Sequence, residues 1–355
     1  MKYYINAKGI LGLKTNVDRV NWVYGSEAPQ SSEEEFRNCK IKVNLLVKKT
    51  KDTFDHDFSK AKLDRFNYFY AAKDRKKIYY ERDFLFRTKL RYSVEIIDEH
   101  TVNLSVNENY FRYIKYKFMN IHSIGYIMTD IVSGLLLLNG YATLHCSAVS
   151  IESKGTLIFA PPGTGKTITA LRLCEDRNVK FMSEDIAITD GVNLYAVPWT
   201  STFRYYHHHK QSRREMMISK IRKLVPVFQL ISVRKKSASA FFEELSFVER
   251  STISRLILLS SGEVDAIQKI DDVKRQILNL NRYEFNYDKA PTMLVFHYFN
   301  PDFDLEKMSR SEQSIVLKMT SDSEAFLVSS ANALEYASLI RKIVNTDSEE
   351  VQVLK

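Results

Sequence analysis

The apolar residues divide the chain into two differently patterned stretches. Residues 2–13 read as a strand and turn. Ile41, Val43 and Leu45 alternate with polar neighbours, a strand signature. The segments KKIYYERDFLFRT, RYSVEII and TVNLSV, between Lys76 and Val106, add further strand patterns, and Asp98-Glu99-His100 makes a turn between the last two. Residues 24–35 are polar and read as a surface loop, and residues 50–74 are charged and without a period. Beyond Tyr110 the period becomes helical. Ile121, Ile124, Ile127, Met128, Ile131, Val132 and Leu135 fall on one stripe that ends at Gly140. The change of period predicts a β-rich N-terminal domain over 1–112 and an α/β domain over 113–355.

The second stretch alternates strand and helix. Residues 143–151 read as a buried strand, 152–155 as a tight turn and 156–159 as a returning strand, so the three form a hairpin. Ile168, Ala170, Leu171 and Leu173 have mostly helical spacing. Residues 179–183 are a strand closed by Glu184-Asp185. Residues 186–189 and 193–197 flank an Asp190-Gly191 turn, a second hairpin signal, and Pro198-Trp199 break the run. Residues 255–259 read as a strand, 263–287 as mostly helical, 325–329 as a last strand and 331–344 as an amphipathic helix. The fold class that follows is α/β.

Composition adds bounds. With 355 residues the chain holds one large core or two domains. A 45% hydrophobic, 12% aromatic content is globular. Cys39, Cys146 and Cys174 are odd in number and lack metal spacing, which fits reduced thiols and a cytoplasmic setting. No secretory leader pattern opens the sequence. The longest apolar stretch, near 124–138, contains Asp130 and is short for a bilayer, so a buried helix and no membrane partner are expected. The net charge of +9 suits an acidic partner, or serves solubility alone.

The chemistry concentrates between the first hairpin and the helix that follows. Ala160-Pro161-Pro162-Gly163-Thr164-Gly165-Lys166-Thr167 stands between strand and helix, with Ile168 next. Two glycines let the backbone turn its N–H groups inward, and the helix N-terminus favours anions, so the loop fits a phosphate cradle. Lys166 would reach the β- and γ-phosphates, and the Thr167 hydroxyl would bind Mg²⁺. The pattern usually opens with Gly and here opens with Ala160. Glu184-Asp185 comes seventeen positions after Thr167. A short helix and a returning strand fit that gap and bring the acids beside the metal and γ-phosphate. An AAA-type motor would need an apolar run closed by Asp-Glu well downstream, and none follows Thr167.

This arrangement resembles HPr kinase/phosphorylase and its stand-alone relatives, whose fold is that of phosphoenolpyruvate carboxykinase. The shared features are His145 in a Leu-His strand, a hairpin, the phosphate loop, a helix and a paired acid at a strand end. The resemblance covers about 121–202, including Val197-Pro198-Trp199. The β-rich leader resembles those of HPr-kinase-like proteins encoded beside peptide-biosynthesis genes, some of which phosphorylate a serine on a peptide tail. The resemblance implies an ATP- and Mg²⁺-dependent kinase acting on a Ser or Thr hydroxyl of a protein or peptide. It implies a possible homo-oligomer. It gives catalytic roles to Glu184, Asp185, His145 and Lys166, places Thr167 and Asp185 at the metal, and suggests Arg204 at the acceptor or phosphate. It leaves open which of Glu184 and Asp185 is the base. Two departures stand out: Glu184 replaces the family's usual Asp, and the C-terminal Pro-Gly-Arg type segment has no clear match. A small-molecule kinase and a nucleotide-binding regulatory module are the alternatives. His207-His208-His209 reads as part of a basic exposed loop rather than a metal site, since adjacent strand residues point to opposite faces. Arg213, Arg214, Lys220, Arg222 and Lys223 could dock an acidic peptide. No nucleic-acid motif accompanies them, and nucleic acid is not expected as a partner.

Overall fold

The structure, a computed structural model, describes residues 1–25, 28–49, 64–71, 76–84, 88–115, 121–200, 246–285, 287–300 and 302–345. Arg204, the triple histidine and the basic run after it lie outside the described residues.

The first sheet has nine strands: β1 (Lys2–Ala7), β2 (Leu11–Thr15), β3 (Gln30–Ser31), β4 (Ile41–Lys48), β5 (Asp64–Phe66), β6 (Phe69–Ala71), β7 (Lys77–Asp83), β8 (Lys89–Asp98) and β9 (Thr101–Asn107). Their order is β3-β1-β2-β4-β9-β8-β7-β6-β5. The β2–β4 and β4–β9 pairs are parallel. In β4 the alternation holds, with Ile41, Val43 and Leu45 fully buried. The expectation of a surface loop over 24–35 fails in part. Tyr24 is buried, and α1 (Glu33–Arg37) forms there. Ser32 and Glu35 make a reciprocal capping box at its start, and Phe36 is its buried anchor.

Two helices follow, α2 (Glu108–Tyr113) and α3 (Ile124–Leu138). Twelve residues of α3 are buried, so its apolar stripe widens to nearly the whole circumference. The second half comprises β10 (Ala142–His145), β11 (Ser147–Ile151), β12 (Lys154–Phe159), α4 (Lys166–Leu173), β13 (Val179–Ser183), β14 (Ile186–Thr189), β15 (Asn193–Tyr195), β16 (Arg250–Ser261), β17 (Ala266–Lys269), α5 (Lys274–Glu284), a 3-10 turn Tyr287–Lys289, α6 (Pro291–Phe299), α7 (Leu305–Ser321), β18 (Glu324–Ser330) and α8 (Tyr336–Asn345). Residues 263–287 therefore include a strand, β17, ahead of the expected helix. No helix among the described residues is long and apolar enough to cross a membrane.

The second sheet runs β10-β14-β15-β16-β12-β11-β13, with β18 on β16 and β17 on β18. The central β12, β16 and β18 are parallel neighbours. Helices cover both faces. Ile158, Ile257 and Phe326 share one core with Ala170 and Leu173 of α4 and with Leu339 and Ile340 of α8. Leu157, Leu256 and Leu258 share another with Ile277 of α5 and Val316 of α7. Burial on both faces explains why these strands read as unbroken apolar runs. A third core joins the inner face of the first sheet to α3, α6 and Ile186 and Ile188 of β14. The protein is thus mixed α/β, with two mixed sheets connected by shared apolar packing.

Candidate functional site

The phosphate-loop sequence leaves the sheet at Phe159 and enters α4 at Lys166. Its glycines meet two different demands. Gly163 has φ +83° and Gly165 φ +119°, both in the region L side chains rarely adopt. A β-carbon on Gly163 would meet nothing within 4 Å, so the loop is open there. One on Gly165 would lie 3.0 Å from Cβ of Ala333, so the loop is seated on the segment after β18. The Thr164 N–H donates to the Pro161 carbonyl at 3.3 Å, and the Thr169 N–H donates to the Gly165 carbonyl at 3.0 Å. With a glycine at the N-cap, no side chain of that residue can cap the first turn. The N–H groups of that turn, those of Lys166, Thr167 and Ile168 among them, need acceptors from elsewhere, the condition for an anion site. Pro161, Pro162 and Gly163 are exposed at the crown.

Lys166, Thr167, His145 and Glu184 are all buried behind this loop. Lys166 Nζ donates to the Ala160 carbonyl at 2.7 Å and lies 3.0 Å from His145 Nε2. An ammonium has no lone pair, so Nε2 accepts and the imidazole proton sits on Nδ1. That Nδ1 has no hydrogen-bond partner among the described residues and lies 3.6 Å from Asp185 Oδ1. The Thr167 hydroxyl donates to Glu184 Oε1 at 3.4 Å, and the Thr200 hydroxyl donates to Glu184 Oε2 at 3.0 Å. The Glu184 side is therefore fully enclosed, whereas the Asp185 side chain is 29% exposed.

The electrostatics follow from this enclosure. Burial holds His145 below the ordinary imidazole range; Asp185 opposes the shift and Lys166 adds to it. Burial also lowers Lys166, against the pull of Asp185, Cys146 and Glu284. The Cys146 thiol is pushed well up by burial, which makes it inert beside the site. Glu284, at the end of α5, is exposed in area, yet crowding around its carboxyl and the charge of Asp185 raise its pKa, with Lys166 opposing.

The carboxylates reach these positions through an irregular strand. β11 pairs with β13 as Ala148↔Ser183 and then Val149↔Phe181, which leaves Met182 as an extra residue. Phe181 faces the α4 side, in the core that contains Ala170 and Leu173. Three residues on, a regular strand would turn Glu184 to the opposite face. The bulge shifts that parity and brings Glu184 back toward Thr167 of α4. Beyond it, His145↔Ile186 pairing resumes in β10 and β14. Cys146 interrupts what sequence reads as one strand over 143–151. Just after that break, at the start of β11, the Ser147 hydroxyl donates to the Glu184 carbonyl.

Several contacts were not foreseen from the sequence. Thr200 follows Pro198-Trp199 closely, and only its hydroxyl could have flagged it. Asn281 accepts from the His145 N–H at 2.9 Å across 136 positions. Glu312 accepts from Asn281 in turn. Nothing local in the sequence marks these two.

The donor set also suits a hard cation. Thr167 and the two acids offer oxygen ligands only. Among the described residues no three His, Cys, Asp or Glu side chains form a protein-only metal cage. Mg²⁺ characteristically takes one or two carboxylates and completes its shell with water and phosphate oxygens.

No protein-family model matches the chain, and no curated protein matches it. Among solved structures it is similar to the HPr(Ser) kinase/phosphatase from Coxiella burnetii, at 14% identity over 37% of this chain and 72% of that one, with a TM-score of 0.21. A score that low carries no weight for function, so the geometry of the loop and its acids must stand alone.

Proposed function

We propose that this site binds ATP with Mg²⁺ and transfers the terminal phosphoryl group to a Ser or Thr hydroxyl of a protein or peptide. One observation carries the reading: the residue after the loop lysine, Thr167, shares its hydroxyl with the buried Glu184, while the next carboxylate, Asp185, opens to solvent beside His145. Thr167 and Glu184 would hold the metal, which supplies charge neutralisation between the β- and γ-phosphates. The loop N–H groups and Lys166 would bind the triphosphate. Lys166 would exchange its contact with His145 or Ala160 for a phosphate oxygen. Asp185 accepts the acceptor's proton as its oxygen bonds to phosphorus and the bond to the departing diphosphate breaks. His145 Nδ1, 3.6 Å from Asp185 Oδ1, is near enough to orient that carboxylate once a substrate draws the two together. Enclosure of Glu184 and partial exposure of Asp185 support this division of roles. The +9 charge suits an acidic peptide or protein as acceptor.

The test is a transfer assay with γ-labelled ATP and Mg²⁺, offered peptides, proteins and small alcohols. Label on Ser or Thr that disappears in both Lys166→Ala and Asp185→Asn supports the reading. Label on a small molecule replaces the acceptor class. Tight ATP binding with no labelled product from any source would leave a nucleotide-dependent regulatory module.

A further inference from the structure

Behind β10 lies a buried polar cluster that the phosphoryl-transfer chemistry does not use. Asn281, Glu312 and Tyr287 come from α5, α7 and the 3-10 turn between α5 and α6, and all three are buried. Asn281 Oδ1 accepts from the His145 backbone N–H at 2.9 Å, and Asn281 Nδ2 donates to Glu312 Oε1 at 2.6 Å. The Tyr287 hydroxyl donates to Glu312 Oε2 at 3.3 Å. The His145 N–H can only donate. Glu312 presents an acceptor to the other side of the amide. Only one amide orientation satisfies both neighbours, so Glu312 fixes which way Asn281 faces.

We infer that Asn281, locked by Glu312, is a positioning residue that sets where His145 stands against Lys166 and Asp185. This rests on the proposed phosphoryl transfer. The end of β10 is gripped from a second direction. Thr143, two residues before His145 and on the same strand face, bonds Tyr24 Oη at 2.6 Å, and Tyr24 also bonds Ser133 at 2.8 Å. A small cavity lined by Ser133, Thr143, Asn281, Tyr287 and Glu312 lies between the two grips. Without Glu312 the Asn281 Nδ2 loses its acceptor, and a buried donor left unpaired costs free energy. Asn281 then gives up its fixed place in seeking another acceptor, and its Oδ1 no longer holds the His145 N–H and the strand end in position. Among the described residues, Thr167 and the glycines of the loop make no contact with this cluster, and in the proposed complex Lys166 gives up His145 or Ala160 for a phosphate oxygen, so ATP binding should survive the shift.

The variants are Glu312→Leu, which removes the acceptor, and Glu312→Gln, which retains a carbonyl for Asn281. A displacement of about 1 Å can cost on the order of 10²-fold in rate. The leucine variant should lose about 10-fold or more in kcat, with KM for ATP within about 2-fold, and the glutamine variant should recover kcat to within about 3-fold. Asn281→Ala replaces the leucine variant if that one fails to fold, and it carries the same expectation for kcat and KM. NMR signals of the His145 ring give a readout independent of turnover. They should move in the leucine or alanine variant and hardly at all in the glutamine variant. An unchanged kcat in a folded leucine or alanine variant overturns the inference, as does a glutamine variant impaired as badly as leucine. If the wild type transfers nothing, the kinase reading fails on its own. The positioning of His145 is then decided by NMR, where unmoved ring signals overturn it.

Discussion

Replacing Thr200 by valine tests whether Glu184 is held in place as a charged, metal-side carboxylate. Thr200 is 3% exposed and donates to Glu184 Oε2 at 3.0 Å. Valine keeps the shape and removes the donor. A hydrogen bond to a charged group contributes about 1.5–3 kcal/mol, and one between neutral groups about 0.5–1.5 kcal/mol. Thr200→Val should therefore cost about 2 kcal/mol of unfolding free energy in the wild type and about 1 kcal/mol in a Glu184→Gln background. The coupling of about 1 kcal/mol exceeds the ~0.3–0.5 kcal/mol within which unconnected sites add. Thr200→Ser, which keeps the hydroxyl, should retain most of the stability. Denaturant unfolding of the four proteins of the cycle at neutral pH gives the coupling. The same valine variant should need more Mg²⁺ for half-maximal transfer, by about 10-fold, because groups behind a metal ligand typically act on affinity at that scale. Additive single effects, or a Thr200→Val cost below about 0.5 kcal/mol, would refute an ionised Glu184 held by that hydroxyl.

Gly165→Ala should destabilise more than Gly163→Ala: each incurs a positive-φ cost of roughly 1–2 kcal/mol, and only the first presses a methyl onto Ala333. Thermal melts check the order, and nucleotide titration should show Gly163→Ala losing affinity, since its methyl would enter the open side of the loop. Burial raises the Glu312 pKa above its unfolded value, so the wild type binds that proton more tightly when folded. The stability linked to this proton is present below the unfolded pKa and lost as pH rises through the folded one. The melting temperature of Glu312→Gln relative to wild type should therefore rise from pH 4 toward pH 7, and a flat difference would count against it. Tyr24→Phe strands two buried hydroxyls, those of Ser133 and Thr143, and should cost about 1–3 kcal/mol in denaturant unfolding.

What the sequence makes legible here is local. The strand over 179–183, the hairpin about Asp190-Gly191 and the returning strand after Glu152-Ser153 all rest on period and turn chemistry, and the structure has them. The capping box Ser32–Glu35 was equally readable, but its polar setting resembled a loop. The strand β17 inside 263–287 was not readable, because its Ala-Ile-Gln-Lys run is short and borrows its partner, β18, from far along the chain. The same limit applies at the site. Lys166, Thr167 and the acid pair are close enough in sequence for their meeting to follow from a helix and a strand. Asn281 and Glu312 meet His145 through three elements distant in sequence. The bulge at Met182 carries no residue signal such as glycine; it exists because the ladder to β11 slips there.

That slip sets the different surroundings of the two carboxylates. A regular β13 would separate the acids by face, with Glu184 turned away from α4. The extra residue turns Glu184 into the enclosure beneath Thr167 and leaves Asp185 at the rim beside His145. Among the described residues Glu184 is fully buried and takes hydrogen bonds from two hydroxyls, surroundings that suit the metal-holding role proposed for it. A carboxylate that is partly exposed and faces an imidazole N–H can meet an acceptor arriving from solvent. The resemblance put Asp185 at the metal and left open which of the two acids is the base; the proposed function instead gives the metal to Glu184. Their environments differ, and the side chain of Glu184, one methylene longer than an aspartate, lengthens the reach from an irregular strand to the hydroxyl at the start of α4. Glu184→Asp should accordingly loosen the Thr167 contact and raise the Mg²⁺ requirement while leaving the Asp185 side of the site in place.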